Sequence, residues 1–277
     1  MTAGHRRSRS VVSGDAQAAP LVALPADPDG VLHRLVAAVE VVIRAELPHH
    51  ALIGGLAVMA NLAQAHRVTA DVDTVSDDDH DGIGHTVALL VDTQHAREKP
   101  AGDGVILSDG TKVDIIATGA WAAADLPNDP IERMFILSHW WAVETARTTK
   151  LVVLDGSTTL ASATVALAQP PALVAAKLQS MRTRRGEHAS KAVSDVYDTY
   201  RLLTAYDGEG VLAEALASAP MDVGAWCAEA LIQTFVAEAA RWARRINDAF
   251  AAPAVEPGDL EVVGSLAAER IGRGRRT

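Results

Sequence analysis

Residues 51–75, ALIGGLAVMANLAQAHRVTADVDTV, constrain the fold of this chain more than any other stretch. A short apolar run ends in Gly54–Gly55, a run with helical periodicity follows, and an alternating run then carries Asp71 and Asp73. The pattern predicts strand, glycine turn, helix, strand. Residues two apart on a strand point to one face, so the two carboxylates lie side by side and repel each other. An Asp-x-Asp pair alone is often just a solvated strand face. The Gly-Gly turn adds weight to a functional reading, because backbone N–H groups where a strand enters a helix can cradle a triphosphate. Asp114, in KVDII on a later predicted strand, is a candidate third carboxylate. Three such groups at one sheet edge suit a divalent cation of the magnesium or manganese kind, with room left for phosphate oxygens.

The rest of the chain divides around this unit. Residues 1–27, rich in Arg, Ser, Ala and Pro, are expected to be a mobile tail. From Asp29, DGVLHRLVAAVEVVIRAEL has helical spacing, with Asp27 or Asp29 as its N-cap. HTVALLVDTQHA predicts a further helix, and GVILSDGTKVDIIAT predicts a hairpin turning at Asp109–Gly110. IERMFILSHWWAVETA is read as helical, and TKLVVLD and ATVALA as the last strands. From Pro170 the pattern is almost wholly helical. The expectation is an α+β protein with a mixed-sheet core over 28–168 and a helical domain over 169–277.

Composition narrows the classes. At 277 residues the chain can bury a sizeable core, and its Ala-rich, aromatic-poor composition favours helix over strand. Cys227 is the only cysteine, which excludes an intrachain disulfide and a thiolate metal cage and makes it a candidate core thiol. The basic opening lacks an apolar signal-length run, no long apolar segment occurs elsewhere, and a cytoplasmic protein with no membrane partner is expected. The net charge of -10 argues against a uniformly basic nucleic-acid binder while leaving local basic patches open.

GGLAV, then HRVTADVD, then KVDII resembles the minimal nucleotidyltransferase core: a glycine turn, a helix, Asp-x-Asp on a strand and a third carboxylate on a later strand. Arg67, Thr69, Asp71 and Asp73 together are similar to the Arg-x-Thr-x-Asp-x-Asp form of AbiEii and MenT toxins of type IV toxin-antitoxin systems. KLQSMRTRRG and KAVSDVYDTYRLL extend the likeness through Lys177, the Arg182–Arg185 bend, Asp195 and Asp198. The resemblance implies a nucleotidyltransferase fold and transfer of a nucleoside monophosphate from a nucleoside triphosphate to an acceptor hydroxyl. An RNA acceptor, such as a tRNA 3′ end, and a cognate antitoxin are implied partners. Asp71, Asp73 and Asp114 would hold metal, with Asp114 alternatively deprotonating the hydroxyl. Gly54, Gly55, Arg67, Thr69, Lys177 and Asp198 would serve the nucleotide, and Lys177 and Asp195 would join the catalytic set. Gly55 stands where many nucleotidyltransferases carry a phosphate-touching Ser.

Arg182, Arg184 and Arg185 form the best local basic cluster, either an RNA-backbone contact or a helix C-terminal cap. DDDHDGIGH, residues 77–85, with His80 and His85, reads as a polar loop, and Trp140 and Trp141 as packing residues. Two rival functions share the same residues. One is transfer to a small acceptor such as an antibiotic; the other is a degenerate module that only binds a nucleotide or partner.

Overall fold

A mixed sheet, eight-stranded among the described residues, occupies the chain up to Leu167, and from Pro170 onward every element among the described residues is a helix. The computed structural model describes residues 19–45, 47–78, 80–100, 103–119, 125–184, 189–250 and 254–275. The sheet half contains β1 (Leu21–Pro25), α1 (Val31–Arg44), β2 (His50–Ile53), α2 (Gly54–Leu62), β3 (Asp71–Ser76) and α3 (His80–Gln94). It continues through β4 (Arg97–Glu98), β5 (Gly104–Ile106), β6 (Lys112–Ala117), α4 (Pro130–Glu144), β7 (Arg147–Asp155) and β8 (Thr158–Leu167). The helical half has α5 (Pro170–Thr183), α6 (Ala189–Tyr206), α7 (Val211–Ala217) and α8 (Val223–Leu231). A π-helical segment, Ile232–Ala237, then leads to α9 (Ala239–Ala249) and α10 (Pro257–Gly274). This is the expected α+β arrangement.

The strand order is β1-β7-β8-β2-β3-β6-β5-β4. At its centre β2 pairs antiparallel with β3, and β3 pairs parallel with β6. α2 links β2 to β3 and is apolar on every side, with Leu56, Ala57, Val58, Met59 and Ala60 all buried. A helix apolar all round can only be internal, so its N-terminal glycines are fixed against β3. α1 buries Leu32, Leu35, Val36, Val39 and Val42, the three-and-four spacing visible in the sequence. Cys227 is fully buried, and burial pushes its thiol well above the usual range. No helix among the described residues is long and apolar enough to cross a membrane.

Two expectations are corrected. Leu21–Pro25, inside the segment expected to be a tail, forms β1, parallel to β7 from Leu21↔Lys150 to Pro25↔Leu154. Leu24 is its one fully buried side chain, and five residues with a single apolar anchor give too short a period to read. Residues 1–18 lie outside the described residues. The segment read as a polar loop over 77–85 becomes α3 from His80. Its polar residues suggested a loop, but an acidic first turn, here Asp81, complements the helix dipole.

The start of α1 shows how a short polar residue fixes a boundary. Asp27 accepts hydrogen bonds from the backbone N–H groups of Val31 and Leu32, both at 2.7 Å. Burial by itself would raise this carboxyl, but those two amides outweigh it and hold it below the ordinary value. Replacing Asp27 with Ala leaves two first-turn amides without their acceptor and is expected to cost about 1 kcal/mol. Urea denaturation of the variant beside the wild type measures this.

Candidate functional site

The site is built where β2 ends. Ile53 is paired with Asp73 across the β2–β3 ladder, and Gly54 follows with φ of +72°, a left-handed conformation that starts α2 at once. A Cβ on Gly54 would lie 1.9 Å from Asp73 Oδ2, so only glycine lets the carboxylate sit against the helix start. A Cβ on Gly55 would lie 2.6 Å from Arg67 Nη2 and 2.7 Å from Thr69 Oγ1. The space beside Gly55 is therefore filled from outside by Arg67 and Thr69, and Gly55 follows from that filling.

Asp73 and Asp114 are direct register partners in the parallel β3–β6 pair, so they share a face, and Asp71 lies two residues earlier on the same side. Carboxylate oxygens from Asp71, Asp73 and Asp114 all lie within 4.8 Å of one another, a group able to hold a metal ion. Burial, reinforced by the charges of Asp71 and Asp114, raises the Asp73 carboxyl to about 6. Burial also raises Asp71, but the Lys191 ammonium at 3.0 Å more than offsets it and the net shift is downward. Asp114 is ion-paired with Lys99, which also reaches Asp103 at 3.1 Å. Two lysines thus answer the outer carboxylates and leave the central one strained.

Beside the triad lies a buried ionic network. The Asp198 side chain is fully buried and accepts from Arg67 Nε at 2.7 Å and Arg67 Nη2 at 2.6 Å. His66 Nε2 is 2.7 Å from Asp198 Oδ1 and must be the donor, because an ionised carboxylate only accepts. Lys177 Nζ lies 2.7 Å from Asp198 and 3.0 Å from Asp195, and Arg184 Nε is 2.7 Å from the second Asp195 oxygen. Burial by itself would raise Asp198; the Lys177 ammonium and Arg67 guanidinium overcome it and hold the carboxyl far below the usual range. Burial lowers Lys177 and Arg67 as well, and their aspartate partners bring both net shifts upward.

A cavity of about 230 Å³ opens between these two groups, lined by Gly54, Gly55, Arg67, Thr69, Asp71, Asp73, Lys177, Arg184, Lys191 and Asp195. Most residues singled out in the sequence therefore meet at one place. Lys177 is buried with its ammonium between Asp195 and Asp198, while still acting electrostatically on Asp73. Thr69 donates to Asp71 at 3.4 Å. The arginine cluster is split: Arg184 turns to Asp195, Arg182 lies 5.5 Å from the Trp226 ring centroid, and Arg185 is outside the described residues. Lys191, Lys99 and His66 were not expected. Lys191 carried a signal, since Lys191, Asp195 and Asp198 follow helical i, i+4, i+7 spacing on α6.

No protein-family model and no curated protein sequence matches the chain. Among solved structures, it is similar to the crystal structure of an antigenic nucleotidyltransferase-like protein from Paracoccidioides brasiliensis, at 15% identity and a TM-score of 0.46. That similarity covers 78% of this chain and 94% of the other.

Two stability measurements probe the site. A carboxyl whose folded-state value is raised costs stability as pH climbs from the ordinary carboxylate value, near 3.8, through about 6, because the fold must then hold the charge. Asp73→Asn is therefore expected to stabilise the metal-free protein by about 1–3 kcal/mol at pH 8 and to change little near pH 4. Thermal melts in chelator at the two pH values check this. Lys177→Met leaves Asp195 and Asp198 short of a buried countercharge and is expected to cost about 3–5 kcal/mol, read by urea denaturation.

Proposed function

We propose that the protein is a metal-dependent nucleotidyltransferase that moves a nucleoside monophosphate from a nucleoside triphosphate to an acceptor hydroxyl. The single observation that supports this most is the convergence of Asp71, Asp73 and Asp114 at the start of α2, with Asp73 seated against Gly54. Carboxylates this crowded are expensive without a cation, and the helix N-terminus beside them favours an anion. Together they match a triphosphate delivered with its metal.

Asp71, Asp73 and Asp114 would hold magnesium or manganese, whose chemistry there is to neutralise phosphate oxygens as charge develops. The α2 N-terminus, which has no side-chain cap, offers its first-turn N–H groups to the phosphates. Lys191, half-exposed on Asp71, and Lys177, at the cavity wall, add positive charge beside them. Arg67 and Asp198 hold Lys177 and the loop before β3 in position. The acceptor oxygen bonds to the α-phosphorus while the bond from that phosphorus to the bridging oxygen breaks. Pyrophosphate leaves with that electron pair. The hydroxyl proton passes to Asp114, one of whose oxygens is kept in place by Lys99.

The resemblance to AbiEii and MenT toxins supports RNA, such as a tRNA 3′ end, as the acceptor and a cognate antitoxin as a partner. Incubating the protein with each labelled triphosphate, magnesium and total RNA tests the reading. Labelled RNA is the expected product. Asp73→Asn and Asp114→Asn are each expected to lower the rate by at least about 10³-fold while the fold survives by circular dichroism. Label confined to small molecules would move the acceptor to that class, and no transfer with any triphosphate would overturn the reading.

A further inference from the structure

Four basic side chains among the described residues line the cavity beside the triad: Arg67, Lys177, Arg184 and Lys191. Three of them belong to the buried network. Arg67 is held by Asp198 through two hydrogen bonds, Lys177 lies between Asp195 and Asp198, and Arg184 is paired with Asp195. Lys191 alone of the four is ion-paired with a carboxylate of the triad, Asp71 Oδ2 at 3.0 Å. We propose that Lys191 is an exchangeable counterion, which leaves Asp71 when that carboxylate takes a divalent cation and moves onto the triphosphate delivered with it. This deepens the transfer reading above and rests on it.

Exposure separates Lys191 from the other three. Its side chain is 51% exposed, against 27% for Arg184 and 8% for both Lys177 and Arg67. An exposed pair between a flexible lysine and one carboxylate oxygen is a weak tie. A buried pair holds, because breaking it strands a charge out of water. Whichever oxygen Asp71 gives to a cation, the Lys191 ammonium beside it becomes a like charge at close range and is the one able to leave. Lys191 shares the cavity with Gly54 and Gly55, where the first-turn amides of α2 receive the phosphates on the transfer reading. The released ammonium therefore has an anion within the reach of its four-carbon stem.

The exchange couples the two ligands. While Lys191 sits on Asp71 its charge opposes a divalent cation arriving alone, and once it is on the phosphates the same charge favours the metal–triphosphate pair. By linkage, each ligand then raises the affinity for the other.

Two titrations at one pH test this. Manganese(II) alone is followed by electron paramagnetic resonance of the free ion, and the preformed manganese–tripolyphosphate complex by isothermal titration calorimetry. The variants are Lys191→Met, Lys191→Arg, which keeps the charge, and Lys150→Met, which removes an exposed charge on β7. Lys191→Met is expected to bind manganese alone at least about fivefold more tightly and the complex at least about fivefold more weakly, with Lys191→Arg within about twofold of wild type in both. Lys150→Met is also expected within about twofold, since β7 stands three strands from β3, about 14 Å, beyond the screening length at physiological salt. Shifts of the same sign, a shift in one titration only, an equal response from Lys150→Met, or a wild type that binds neither ligand overturns the exchange. The transfer reading fails separately, by the absence of label transfer with every triphosphate, whatever these titrations show.

Discussion

The carboxylate of Asp198 is the contact on which the rest of the site depends. It comes from α6, yet its partners are Arg67 and His66 from the loop before β3, and Lys177 from α5. One buried anion thus fastens the strand that carries Asp71 and Asp73 to the helices that form the far wall of the cavity. Charge taken out of water is tolerated here because Arg67, His66 and Lys177 all face the one carboxylate, and removing one partner strands the others.

From this anchor the geometry of the triad follows in sequence. Arg67 is pinned by Asp198, and Arg67 with Thr69 fills the space over Gly55. Gly54 admits Asp73 against the helix start, and register with β6 brings in Asp114. Each step fixes the next, so the acidic cluster is held by packing and pairing that lie outside it.

How much of this could be read from the sequence depended on whether the signal was local. Strand periodicity put Asp71 and Asp73 on one face, and a hairpin at Asp109–Gly110 put Asp114 on a neighbouring strand, as the structure has them. The change to helix at Gln169 was legible from Pro170–Pro171, which start α5. Lys99 was not legible, because it follows a two-residue strand and meets Asp114 only through a pairing that no local pattern specifies. Arg184 illustrates a different failure: composition grouped it with Arg182, but at the end of α5 the two side chains leave in different directions, one to Asp195 and one to Trp226. Adjacent residues of one charge are a cluster in sequence and need not be one in space.

The strand β1 has a consequence for handling the molecule. The β7–β8 hairpin is the longest in the sheet, and β1 covers the outer side of the nine-residue β7, while the opposite border is the two-residue β4. Among the described residues both borders are shorter than β7, which limits the row of unpaired groups offered to another molecule. A preparation trimmed to begin at Ala26 would bare a long row of unpaired amides and carbonyls along β7. Such a product would be prone to self-association even with every residue of the cavity in place.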